Sequence, residues 1–240
     1  MSSLHPFQST LVRAAELVAK GRIEDAGDAL ESVLAALPKV TSVDLIRRFA
    51  SLCRQCGCDG AQEAALRSLL AQTLSDEDRF SALSEFVDLL HRQRSSPGLQ
   101  PHHETSLTQR CVETISDALG VGVADKVEWA NLIRGRAACY LDVARNGEQQ
   151  VIDLGLRDID TYLEWLVSGR GVPAHWVVDT QVALARFDRV ELEYLSGNYD
   201  PKALTTQLLE SIEALEQKNS PAYMTKRAYS ILELLLSRTP

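Results

Sequence analysis

The chain has 240 residues, 45% hydrophobic and 24% charged, with a net charge of −8 and a pI near 5.2. That composition fits a water-soluble folded protein able to bury a core without metals or disulfides. Its acidity, shared by both halves, speaks against a nucleic-acid binder, which needs clustered Lys and Arg against phosphate.

Five cysteines are an odd number and too few for a disulfide framework at this length. No apolar run approaches the roughly 18 residues of a membrane span. The first six residues have neither the basic nor the apolar segment of a secretory leader. The expectation is a cytoplasmic protein, and the excess of Arg over Lys hints at a GC-rich bacterial genome.

In chain order, Leu11, Ala14, Ala15, Leu17 and Val18 form the apolar stripe of a helix over 8–19. Gly21 closes it, because glycine adopts positive φ at little cost. Ala26, Leu30, Val33, Leu34 and Leu37 give a second stripe over 23–37, and Pro38 is expected to stop that helix. Thr41 and Ser42 offer a cap for the next helix, which runs to Cys56 with Leu45, Ile46, Phe49, Leu52 and Cys53 inward. Residues 57–60 read as a turn and 61–74 as its partner helix. Ser75 with Asp76, Glu77 and Asp78 reads as a capped, acidic helix start, and that helix runs to Arg94. Residues 95–101 carry the longest loop signal, a candidate boundary inside what otherwise reads as one domain over 1–240. A helix follows over 103–119. Longer helices are then expected over 124–145, 148–167, 174–195 and 202–217. A last helix, 220–237, has no partner, as suits the cap of an open stack.

The unit of helix, tight turn, helix and stop over 8–40 resembles a tetratricopeptide (TPR) repeat, whose pattern is W-x2-L-G-x2-Y…A-x3-F…P. Ala14 takes the small Gly position, Leu17 the Tyr, Ala26 the Ala, Leu30 the Phe and Pro38 the Pro, while Thr10 and Arg13 depart from the Trp and Leu. Phe49, Ala50 and Cys53 repeat the Leu, Gly and Tyr positions in a degraded second copy, and Gly197, Tyr199 and Ala203 echo a third turn. Hairpin starts step by about 34 residues in the first part and by about 47 to 49 later, the latter closer to longer helical-hairpin repeats. No strand alternation competes. The implied fold is all-α: stacked antiparallel helical hairpins, a TPR-like α-solenoid with a C-terminal capping helix.

In such a stack the first helix of each pair lines the concave face. The resemblance therefore places Arg47, Ser51 and Arg54 there from one helix, Asn131 and Arg134 from another, and Phe187, Glu191 and Tyr194 from a third. Arg47, Arg54 and Arg134 would form a positive spot suited to carboxylate or phosphate, because the guanidinium fork bonds both bidentately. The implied function is a non-enzymatic interaction module, an adaptor, chaperone-like binder or assembly factor. It would take a peptide or partner helix, need no cofactor, touch neither nucleic acid nor membrane, and be compatible with homo-oligomers.

One cluster offers different chemistry. Cys53, Cys56 and Cys58 follow C-x2-C-x-C spacing at a helix end and would supply thiolates to a metal or a redox step. A fourth ligand, His102, His103 or Cys111, must be brought close by the fold. The competing expectation is Cys53 as a small core residue with Cys56 and Cys58 in the turn, and no metal site. Asp158 with Asp160, and Glu191 with Glu193, stand two apart on helices and so point to different faces, which offers no paired acid and base. Phosphate-loop, dinucleotide and hydrolase motifs are missing. A neutralising partner of a toxin or effector is a further reading that the acidity suits.

Overall fold

The computed structural model describes residues 4–122, 127–174, 176–217 and 222–237. Among these there is no strand. The helices are α1 (Leu4–Ala19), α2 (Ile23–Ser32), α3 (Val43–Cys56), α4 (Asp59–Leu70), α5 (Asp76–Arg94), α6 (Pro101–Gly120), α7 (Val127–Arg145), α8 (Ile152–Ser168), α9 (Val178–Ser196), α10 (Pro201–Gln217) and α11 (Ala222–Ser237), with 3-10 turns at Leu34–Lys39 and Gln149–Val151. The expected start of the seventh helix at 124 lies outside the described residues.

The helices group into two compact units: Met1–Leu107 with Gly120–Gly122, and Thr108–Leu119 with Val123–Pro240. In the first, α1 packs on α2, α3 on α4, α2 on α3 and α4 on α5, and α1 also lies beside α3. The α1–α2 and α3–α4 hairpins thus stack on one another, and α5 packs on α4. In the second, α7 pairs with α8, α9 with α10, α8 meets α9, and the first helices α7, α9 and α11 lie side by side.

The hairpin turns have a common cause. At Gly21 (φ 72°) the Arg22 N–H donates to Leu17 O and the Gly21 N–H to Val18 O, both at 2.9 Å. At Gly57 (φ 70°) the same six-to-one and five-to-two bonds run from Cys58 to Cys53 (2.9 Å) and from Gly57 to Arg54 (3.3 Å). This is the Schellman arrangement, which satisfies two orphan carbonyls and needs left-handed backbone at the glycine. The pairing recurs at Gly147. Ser42 and Ser75 cap α3 and α5 as expected, accepting from the N–H of Leu45 and Asp78.

Several boundaries differ from the sequence expectation: α1 begins at Leu4 rather than 8, α8 at Ile152 rather than 148, after the 3-10 turn Gln149–Val151, and α9 at Val178 rather than 174. The helix expected over 23–37 ends at Ser32, and Pro38 sits inside the 3-10 turn that follows. Proline removes its own N–H and crowds the carbonyl four residues back, so the disturbance reaches a full turn upstream. The tighter turn still buries Leu37 and leaves Val40 packed behind it. The helix expected to run to 74 ends at Leu70.

The second unit contains two apolar clusters. One joins Ala130, Ile133, Ala137 and Leu141 of α7 to Ile152, Ile159, Tyr162, Trp165 and Leu166 of α8, and to Ala185 and Leu192 of α9. Trp165 is buried, with Trp129 and Trp176 packed at the edge of this cluster, so all three tryptophans serve the core as expected. The other joins α9, α10 and α11 through Phe187, Val190, Leu204, Leu208, Ile212, Leu215, Ala228, Ile231 and Leu235. Gly155 lets α8 approach both neighbours: a Cβ there would stand 2.9 Å from Leu192 Cδ1 and 3.2 Å from Tyr140 Cβ.

Candidate interaction surface

Within each unit the first helices carry their charged residues in ladders. In the first unit Arg47 of α3 donates to Asp78 of α5 at 2.6 Å, and Arg54 stands 3.5 Å from Asp88. Glu85 lies on α5 between those two carboxylates in sequence. It is half-buried, and burial pushes its carboxyl above 4.5, partly offset by Arg54 and Arg47. Asp78 is held below its usual range by the Ser75 hydroxyl and by Arg47. Ser51 is exposed between the two arginines and accepts from Gln55 Nε2 at 3.4 Å.

In the second unit Arg134 Nη1 donates to Gln181 Oε1 at 2.7 Å, with its guanidinium carbon 5.7 Å from the Tyr162 ring centre. Further along, Arg145 grips Glu191 bidentately at 2.6 and 2.9 Å and also reaches Asp142 at 2.8 Å. Arg227 of α11 reaches the same Glu191 at 2.6 Å and the buried Asp188 at 2.8 Å. One carboxylate thus ties α7, α9 and α11 together. Asn131 is exposed on α7.

Three sequence expectations change on this geometry. Phe187 is not on the open face; it is 1% exposed, in the core of α9, α10 and α11. The apolar stripe Ala183, Phe187, Val190 and Tyr194 already carried that signal. Tyr194 is half-buried against the same cluster, its ring 5.6 Å from Tyr199. The three arginines do not form a bare positive spot: Arg47 and Arg54 face Asp78 and Asp88 in one unit, and Arg134 is occupied by Gln181 and Tyr162 in the other.

The partners missed from sequence have a simple spacing. Arg47 to Asp78 spans 31 residues and Arg92 to Asp59 spans 33, about one short repeat. Arg134 to Gln181 spans 47 and Arg145 to Glu191 spans 46, about one long repeat. Arginines with a carboxylate or amide one repeat away were the available signal.

The carboxylates two apart do diverge: Asp158 faces Arg136 while Asp160 faces Arg189, and Glu191 faces Arg145 while Glu193 is bonded to Arg189.

Burial sets the chemistry of the cysteine turn. Cys53 is fully buried, and burial, followed by the neighbouring thiols and Glu31, pushes its thiol up to about 12. Cys56 and Cys58 are raised too, mainly by burial, with Asp28 and Asp59 adding to the effect at Cys58. All three are therefore protonated near neutrality, and none is a prepared nucleophile. Among the described residues no group of three or more His, Cys, Asp or Glu is arranged to hold a metal. His102 and His103 lie exposed in the first turn of α6, their rings 4.1 Å apart.

The Glu191 junction predicts a pH response. Burial alone would raise this carboxyl, but hydrogen bonds from Arg145 and Arg227 outweigh it and hold the group below 4.5. A folded value below the unfolded one gives stability that is present above about pH 4.5 and is lost as pH falls through the folded value. Asp188, raised by burial, acts with the opposite sign. Glu191→Gln is expected to be less stable than wild type at neutral pH. The gap should narrow as pH drops below about 4.5, as read by urea unfolding across pH. A gap that stays constant would show that Glu191 does not titrate differently on folding.

No family model and no curated protein sequence matches the chain. Solved structures do match it. The nearly identical TPR-like repeats of a predicted kinesin light chain of Podospora anserina share 12% identity with it. The match covers 90% of this chain and 98% of that one, at a TM-score of 0.54. A thermophilic TPR protein of Thermus thermophilus shares 20% identity over 94% of this chain and 98% of that one, at a TM-score of 0.43. The all-helical hairpin architecture is thus a TPR-like helical solenoid fold. Among the described residues no helix is long and apolar enough to cross a membrane.

Proposed function

We propose that the protein is a non-enzymatic interaction module that binds a peptide or partner helix along the first-helix layer of a unit. TPR-like stacks generally display side chains for protein partners, because side-by-side helices give an extended ridged surface. The observation that carries the reading is the exposed polar ledge of α3 and α5. Ser51 and Arg54 stand open to solvent there, ion pairs from Arg47 to Asp78 and from Arg54 to Asp88 link the two helices, and the first helix of the layer, α1, lies beside α3. Arg47 is proposed as a flanking contact of that ledge; on the second unit's own first-helix layer Asn131 and Arg134 are proposed as contacts and Tyr194 as an edge residue. Phe187 is left out because it is buried. An adaptor or assembly role, in the cytoplasm of a bacterium, is the reading this supports best.

The test uses Ser51→Arg with Arg54→Glu, since neither residue supports the core. Arg54 is about half exposed and its 3.5 Å pair with Asp88 is solvated, so the stability cost is expected to stay under about 1 kcal/mol. Tagged wild type should capture a specific partner from native lysate, and the double variant should lose most of it at unchanged melting temperature. Retained capture by the double variant would remove the α3–α5 ledge as the site. Arg134 is a poor choice for this test, because replacing it also removes its contacts with Gln181 and Tyr162.

A further inference from the structure

The outer face of α11 points to an occupant. Ala228, Ile231 and Leu235 turn inward against α9 and α10. The opposite arc carries Lys226, Ser230, Glu233 and Ser237, all exposed, along one line of the helix. Exposed large side chains flank that line: Leu234 (50% exposed) on one side, Leu236 (56%) and Tyr229 (44%) on the other, the Tyr229 hydroxyl donating to Glu216 of α10 at 2.7 Å. An apolar-bordered stripe with small serines along its middle is unusual for a solvent-facing helix. It suits close approach of a second helix.

The charges identify that helix. Lys226 and Glu233 are seven residues apart, about 10 Å along the axis, and neither has an ion-pair partner among the described residues. Laid antiparallel on a copy of itself, with the two-fold axis passing between residues 229 and 230, the helix sets Lys226 opposite the copy's Glu233. Symmetry repeats the pairing at the other end. A parallel arrangement would set like against like. Self-complementarity under a two-fold axis is what an isologous interface requires.

We propose that α11 is the contact between two copies of this chain, paired antiparallel through the Lys226–Glu233 stripe. The proposal is independent of the partner-binding reading of the first-helix layers. A single pair of helices this short buries an area at the low end of specific interfaces, so the dimer is weak and depends on concentration and salt.

Sedimentation velocity over micromolar to millimolar concentrations tests it. Wild type is expected to shift from monomer to dimer across that range. Lys226→Glu and Glu233→Lys should each weaken the dimer by about tenfold or more, because each faces two like-charge contacts. The double variant Lys226→Glu/Glu233→Lys should restore it. The two single variants, mixed, should form a heterodimer, since all charges then oppose. These positions are exposed, so unchanged circular dichroism checks that folding is intact. A wild type that stays monomeric throughout, or a dimer indifferent to both single substitutions, would overturn the proposal. So would single variants that fail to pair when mixed.

Discussion

Replacing Gly155 with valine is expected to destabilise the second unit by about 3 kcal/mol or more. Gly155 is buried in α8 where that helix meets α7 and α9. A Cβ would lie 2.9 Å from Leu192 Cδ1 and 3.2 Å from Tyr140 Cβ. The leucine methyl cannot swing away into solvent, because Leu192 is fully buried. The tyrosine Cβ is fixed to its backbone and moves only if α7 moves. Each extra methyl or methylene in such a place costs about 1–3 kcal/mol through strained rotamers and backbone shifts. Valine adds three carbons and a stiff χ1. Alanine is the informative control: its gain of about 1 kcal/mol in helix propensity offsets part of the clash, leaving a net loss of about 1 kcal/mol.

The readout is specific. Trp129, Trp165 and Trp176 all belong to the second unit, so tryptophan fluorescence follows its unfolding whatever the first unit does. A loss of about 3 kcal/mol corresponds to a fall of roughly 6–12 °C in Tm. In a Leu192→Ala background the valine should cost distinctly less, since the methyls it meets are gone. A Gly155→Val protein as stable as wild type would mean that α8 does not approach its neighbours this closely.

Much of this packing was legible before the structure. Stripes such as Ala26, Leu30 and Leu37 named their own buried face, because apolar spacing at the helical period is a direct trace of burial. Gly21 and Gly57 announced their turns through the one backbone conformation other residues avoid. Pro38 was legible as a stop but not in its reach: the α-helix gives way at Ser32, and the 3-10 turn still buries Leu37. Phe187 was misplaced because a repeat template outweighed the local apolar period, which put it beside Ala183 and Val190 in the core. The arginines lie on helix surfaces, but a single helix cannot tell what faces it. Asp78, Gln181 and Glu191 come from the next first helix, 31, 47 and 46 residues away. Gly155 gave no sequence signal of its own. A glycine inside a helical stripe reads as a mild defect, and only the two flanking helices show it to be a point of contact.

Asp158→Ala is expected to cost about 3–5 kcal/mol, the usual consequence of stripping one partner from a buried ion pair. Asp158 of α8 accepts from Arg136 of α7 at both oxygens, 2.7 Å from Nε and 2.8 Å from Nη2. The third nitrogen, Nη1, donates to Ser116 Oγ of α6 at 3.1 Å. The side chains are 22% and 10% exposed, too little for water to replace the lost partner. Hydrogen bonding to Asp158 is the leading reason the Arg136 guanidinium is held above its usual range, so removing the carboxylate leaves a charge that cannot neutralise by losing its proton. The pair is not for that reason a large net source of stability: desolvating two ions offsets most of their attraction. Arg136→Met with Asp158→Leu should accordingly return to within about 1 kcal/mol of wild type, measured by urea unfolding with tryptophan fluorescence. What the ion pair then contributes is register. It fixes α7 against α8 and carries Ser116 of α6 with them, whereas the apolar replacement would hold the helices together with less definition. A single Asp158→Ala loss below about 1 kcal/mol would place the pair in the solvated class and remove it from the core of the second unit.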